Sequence, residues 1–174
     1  LMTGSSEELS TLACSKTRKI DLQGGTLLPG FIDTHEHCMR RTMQKDWVYC
    51  GSPAVASCDD MVDALAQKAA TKADGEWVIG HWFDESKWDT QQFPTRHDLD
   101  RATNRHPIFV LRAGGHNAVA NSLAFEIVGI DKESEGPDGG HIERDENRNP
   151  TGRLDELAAM DLVRKKIPAP GPEE

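Results

Sequence analysis

Residues 27–37 read Leu27-Leu-Pro-Gly-Phe-Ile-Asp-Thr-His-Glu-His37, an apolar run that ends in two histidines separated by one residue. Side chains two apart on a β-strand point to the same face. An extended His-x-His therefore sets the imidazoles of His35 and His37 side by side, and neutral imidazole is a good ligand for zinc and similar divalent ions. The strand candidate is the stretch 27–34, with Pro29-Gly30 bending its entry. Its histidines fall at the C-terminal end, where α/β barrels and open α/β sheets place their chemistry.

The rest of the chain alternates short β-runs with helical patterns, which implies an α/β layer or barrel. Residues 19–25 read as a short strand and a glycine turn. Ser57 with Asp59 and Asp60 is a capping signal for a helix carrying Met61, Val62, Leu65, Ala66 and Ala69 at helical spacing, stopped by Gly75. A strand follows at 77–80. Thr95-Arg-His-Asp98 is a capping box opening a short helix through Leu99 and Ala102, and 106–112 is a clear β-run. Helices are predicted over 117–128, ending at Gly129, and over 153–166. Between them 136–152 is rich in Gly, Asp, Asn and Pro and predicts a hairpin or loop, with 141–143 as one strand.

The chain has 174 residues, enough for one domain with a real core. No apolar run is long enough to span a bilayer, and a formal net charge of −9 argues against nucleic acid or an anionic membrane as the main partner. Cys14, Cys38, Cys50 and Cys58 have irregular spacing and no C-x-x-C pair, which reads as reduced thiols in a cytoplasmic protein. The chain closes on Ile167-Pro-Ala-Pro-Gly-Pro-Glu-Glu174, a good first turn for a helix. A (β/α)8 barrel takes about 250 residues. The chain is therefore expected to be the first part of a longer enzyme.

The Leu-Pro-Gly-Phe-Ile-Asp-x-His-x-His run resembles the first barrel strand of the amidohydrolase superfamily, and further stretches resemble its YtcJ-like, or amidohydrolase-3, group. These are Gly80-x-x-x-Asp84 with Trp88, Phe93-Pro-Thr and Leu99-Asp100; Arg112-x-x-Gly-His116 with Asn121-Ser122; and Gly139-Gly140, Arg144-Asp145, Pro150-Thr-Gly152, Leu154 and Glu156. The resemblance implies the N-terminal part of a metal-dependent (β/α)8 TIM barrel with a fragment of its small β-sandwich domain. Residues 1–27 would be the partial sandwich segment. Residues 28–174 would be the first part of the barrel, incomplete and including an inserted α/β segment. Two departures stand out: Gly114 where the group usually has an acid or hydroxyl, and Arg148 where it usually has glycine.

The same resemblance implies a hydrolase of non-peptide carbon–nitrogen bonds, such as amides or N-formyl groups, using a metal-activated water. His35 and His37 would be metal ligands and Glu156 a further one, on one or two divalent ions, zinc being the expected metal. Asp33, on the strand face of the histidines, is read as orienting an imidazole or as a strand-end cap. His116 and Arg112 are the substrate-binding candidates. No general base lies in this stretch, that aspartate being expected downstream, so the chain alone is expected to be inactive. The remainder of the barrel would be its required partner, a homo-oligomer is compatible with it, and a small amide-like molecule would be its substrate. A non-catalytic binding or scaffold module of the same fold is the rival reading. His81, His97, His106 and His141 are treated as surface or loop residues. Trp77, Trp82, Phe83 and Trp88 are treated as packing groups.

Overall fold

The computed structural model describes residues 3–35 and 44–169. The chain divides into two compact units, 1–37 and 38–174.

Among the described residues of the first unit the helix is α1 (Ser6–Ser10), opened by a capping box in which Ser5 and Glu8 serve each other's backbone N–H. The expected strands at 19–25 and 27–34 are absent among its described residues. Residues 19–25 instead turn, with Asp21 Oδ1 accepting from Gln23 N–H and the Leu22 carbonyl from Gly25 N–H, each at 2.8 Å. Over 27–34 no ladder forms, and Leu27, Phe31 and Ile32 stand 81%, 91% and 88% exposed. Apolar residues in adjacent pairs, Leu27-Leu28 and Phe31-Ile32, suit a strand buried on both faces. Such a strand forms only between neighbours that cover both faces, and the described residues of this unit supply none.

The second unit is built on a six-stranded mixed sheet in the order β1-β2-β3-β4-β6-β5. Its strands are β1 (Val48–Tyr49), β2 (Val78–Phe83), β3 (Ile108–Arg112), β4 (Asn117–Ala120), β5 (His141–Arg144) and β6 (Pro150–Asp155). The helices are α2 (Cys58–Ala69), α3 (Arg96–Asp100), α4 (Ser122–Val128) and α5 (Glu156–Arg164), with a 3-10 turn at Glu85–Lys87. β1, β2 and β3 run parallel; β3–β4, β4–β6 and β6–β5 are antiparallel. This mixed sheet is not a run of all-parallel barrel strands. The reason is local: only residues 113–116 join β3 to β4, which suits a hairpin, whereas a parallel return needs a crossover of about a dozen residues or more.

Alternation along β3 divides the packing. Ile108 and Val110 face a core with Met61 and Leu65 of α2, Leu99 of α3, Phe83 and Trp88. Phe109 and Leu111 face the other core, with Phe125 of α4 and Ala159, Met160 and Val163 of α5. Layers of helix thus cover both faces. The aromatic residues expected to pack do so for the most part: Phe83 and Trp88 are buried, and Phe83 meets the Phe93 ring edge-on at 5.2 Å. Trp82 instead sits half-exposed where β2 shifts register, with φ +72°.

The capping signals at Ser57 and Thr95 hold, the latter with both bonds of the box. The hairpin at 136–152 is β5–β6. Two predicted helices begin later than expected, because 117–120 is strand β4 and 150–155 is strand β6. Asn-Ala-Val-Ala has no strong local preference, and pairing with β3 overrides it.

Candidate active site

Parallel β2 and β3 deliver their C-terminal ends to the same edge of the sheet, and chemistry-bearing residues gather there. Arg112 closes β3. Its Nε and Nη2 donate to the two oxygens of Glu85 at 2.8 and 2.9 Å, and Nη2 also reaches Asp84 Oδ1 at 3.4 Å. This fork is bidentate, the strongest common geometry for such a pair. Hydrogen bonding to Glu85 strengthens the hold of the guanidinium on its proton. The Ser86 hydroxyl, aided by Lys87 and Arg112, holds the Asp84 carboxyl below the usual carboxylate range. The carboxylates that Arg112, a substrate-binding candidate by sequence, grips in this structure are the chain's own Glu85 and Asp84.

Beyond Arg112 the chain turns through Gly114 and Gly115, at φ +93° and +78°, into His116 and β4. The antiparallel β4–β6 ladder pairs Asn117 with Asp155. It is extended one step by Glu156 N–H donating to the His116 carbonyl at 2.7 Å. The side chains meet as well, with His116 Nδ1 and Glu156 Oε2 3.2 Å apart. A carboxylate only accepts, so in neutral His116 this bond puts the proton on Nδ1 and leaves the Nε2 lone pair for a proton or a metal ion. Both side chains are largely solvent-accessible. Glu156 holds φ +66°, a left-handed conformation that costs a non-glycine residue on the order of 1–2 kcal/mol. The surroundings impose it: Asp155 beside it is fixed by Asn117 Nδ2 at 2.5 Å and Arg153 Nε at 2.7 Å. Two residues singled out separately in the sequence, 40 positions apart, are thus brought together.

Among the other sequence candidates, Asp33 Oδ1 accepts from the backbone N–H of His35 at 3.0 Å, a bond of the capping kind. His37, with Glu36 and Cys38, lies outside the described residues. Among the described residues no group of three or more His, Cys, Asp or Glu side chains is close enough to hold a metal. The His116–Glu156 pair has the nitrogen and oxygen donor chemistry that zinc accepts, and it is two ligands where such sites use three or four.

His81 and His106, read as surface or loop residues, are buried in the sheet unit. His81 packs edge-on between the rings of Trp47 and Tyr49. His106 precedes β3 and uses Nδ1 toward the Glu76 carbonyl at 3.0 Å. Asn121 holds more than its own turn. Fully buried, it accepts from Ile108 and Ala124 N–H at 2.9 and 3.0 Å and donates to the His106 carbonyl at 3.0 Å, tying the start of β3 to the start of α4. A histidine-proline pair opening a β-run was the available signal for His106.

Residues 18–174 match the sequence profile of the amidohydrolase family. This chain belongs to that family. Among curated relatives it is 35% identical over 158 residues to the N-substituted formamide deformylase of Arthrobacter pascens, covering 91% of this chain and 29% of that protein. It is 34% identical over 170 residues to the Bacillus subtilis protein YtcJ, by name an amidohydrolase, covering 95% of this chain and 31% of that one. The chain thus spans under a third of either relative's length. Among solved structures, a metal-dependent hydrolase from Pyrococcus furiosus, itself uncharacterized, superposes with a TM-score of 0.53 at 26% identity, covering 80% of this chain and 26% of that chain.

Most amidohydrolase-like stretches beyond the histidine run hold the scaffold. Asp100 caps α4 through the Ser122 N–H and hydroxyl at 2.9 and 2.7 Å. Phe93 lies under the Arg153 guanidinium at 4.5 Å. At Gly152 a Cβ would stand 2.5 Å from Arg96 N, and at Gly140 one would stand 2.4 Å from Ala159 N, so both positions exclude a side chain. His116 and Glu156 are different: they are left facing solvent at the end of the ladder.

Proposed function

We propose that the protein to which this chain belongs is a metal-dependent hydrolase of non-peptide carbon–nitrogen bonds, acting on small amides or N-formyl compounds from an amidohydrolase (β/α)8 barrel. The observation that carries this is the His116–Glu156 pair at the sheet's C-terminal edge, in a chain of amidohydrolase sequence. The relatives named for formamide deformylation and for metal-dependent hydrolysis support the bond class and the metal.

In this reading His35 and His37 are metal ligands, Glu156 offers a carboxylate, and zinc is the expected ion. When bound, the metal supplies a water acidified to near neutral pH and a Lewis acid for the carbonyl. The protein's own share is positioning. Glu156 fixes the ring plane and tautomer of His116, so that Nε2 presents a lone pair to a substrate N–H or a departing proton. The Arg112–Glu85 pair stiffens the loop from which His116 emerges. A general-base aspartate and further ligands belong to the remainder of the barrel, so the 174-residue chain by itself is expected to be inactive.

The test uses the longer protein that contains this chain. Metal analysis should find about one or two tightly held ions per chain, and N-substituted formamides should release formate. His35→Ala and His37→Ala should lower the metal content and abolish turnover. A longer protein that holds no metal and hydrolyses no amide would favour the non-catalytic binding module instead.

A further inference from the structure

A cavity of about 270 Å³ opens on the sheet face covered by α5. Phe109 and Leu111 of β3 form its floor, and Trp47, Leu157 and Ile167 form its walls. Its mouth is defined by Gly115 and Leu157, the immediate chain neighbours of His116 and Glu156. Leu157 and Arg164 are seven residues apart on α5, hence on one stripe of the helix, and a rise of about 10 Å separates them. The cavity therefore runs along α5 from the histidine–carboxylate pair to Arg164.

We infer that this cavity seats a neutral apolar substituent, an aromatic ring or a branched alkyl group, of the amide whose carbon–nitrogen bond is broken. The inference rests on the hydrolase reading above and names the substrate class for it. Volume sets the size, since an apolar cavity of about 150 Å³ takes one benzene. The space here thus accommodates a ring and leaves room for the amide to project from the mouth toward His116. Chemistry sets the polarity. The floor and walls are mostly apolar, Gln44 adds one uncharged polar group, and the lining cation Arg164 turns its Nη1 to Asp161 Oδ1 at 3.3 Å, so among the described residues no lining carboxylate is there to receive a cationic substituent. Leu157, more than half exposed at the lip, is an apolar group that such a ligand would cover.

The test reads binding and needs neither metal nor turnover. The 174-residue chain, labelled for NMR, is titrated with N-phenylformamide and N-cyclohexylformamide, and with formamide as the unsubstituted probe. The substituted amides should bind at least about tenfold more tightly, as burial of several CH groups dictates. Their shifts should fall on Leu111, Gly115 and Leu157. Leu157→Trp, a change at an exposed lip that leaves the core alone, should weaken them about tenfold by filling the mouth. Leu157→Ala should keep or improve binding, and the melting temperatures of both variants should stay near that of the parent. Equal binding of formamide, shifts elsewhere, or an unaltered Leu157→Trp titration would overturn the inference. In the longer protein Leu157→Trp should raise KM for N-phenylformamide and leave that for formamide unchanged. Turnover with no such KM change would sink the cavity assignment alone, whereas binding here with no turnover there would sink the hydrolase reading alone.

Discussion

Arg148 holds φ +67° in the turn between β5 and β6, the backbone region that an L-residue with a Cβ pays to enter. The turn is kept by Arg148 N–H donating to the Asp145 carbonyl, and its own carbonyl accepts from Arg144 Nη1. Both bonds are backbone at position 148, so glycine preserves them. Arg148→Gly should therefore raise stability by about 0.5 kcal/mol net of glycine's entropy, seen as a higher urea midpoint. The three described cysteines differ as sharply. Cys14 is exposed, and the Thr17 hydroxyl bond lowers its thiol pKa; burial pushes Cys58 up to about 11 and Cys50 up to about 12. At pH 8 iodoacetamide should label Cys14 first and Cys50 only on unfolding. For Cys50 the folded state keeps a proton that the unfolded chain releases near the ordinary value of 9.0. Its contribution is thus complete below pH 9.0 and lost as pH climbs toward about 12. Cys50→Ala should flatten that alkaline decline in a pH series of denaturant melts.

Local signals carried the short elements well. Ser57 and Thr95 each accept the bond their positions predict, and Gly129 ends α4 in a left-handed cap. What the chain could not show locally is pairing over distance. Residues 117–120 become β4 because a four-residue turn lays them on β3, and 150–155 become β6 because both β4 and β5 claim them. Asp155, the residue before α5, makes no side-chain cap bond at that helix, since Asn117 and Arg153 already hold its carboxylate. The reach of Asn121 is likewise non-local: placed by its spacing inside a helix, it closes three buried bonds between two elements. Asn121→Ala strands those partners and should cost about 3 kcal/mol, measured by urea unfolding followed by far-ultraviolet circular dichroism.

Across the sheet unit, two apolar cores share one set of strands, with neighbours on β3 pointing alternately into each. Neither face can lose its packing and leave the other's floor intact. Trp88 lies in one core and Trp77 packs against the other, so two variants that each keep only Trp77 or only Trp88, the other three tryptophans replaced by Phe, should report the same thermal midpoint by fluorescence. Separate midpoints would show that the faces melt independently. At this scale the site was half visible in advance. His116 and Glu156 were each marked by family-like spacing, but their meeting depends on β4–β6 register, which no local pattern encodes. The Arg112–Glu85 pairing was hidden for the same reason, because Glu85 follows the end of another strand. No described helix is long and apolar enough to cross a membrane.

The His116 carbonyl receives the Glu156 amide just past the last paired residues of β4 and β6. That proton is a built-in gauge: its exchange with deuterium slows only while the two chain segments stay zipped at their rim. Following it alone, in a molecule given no ligand of any kind, tells whether the catalytic candidates are still held face to face.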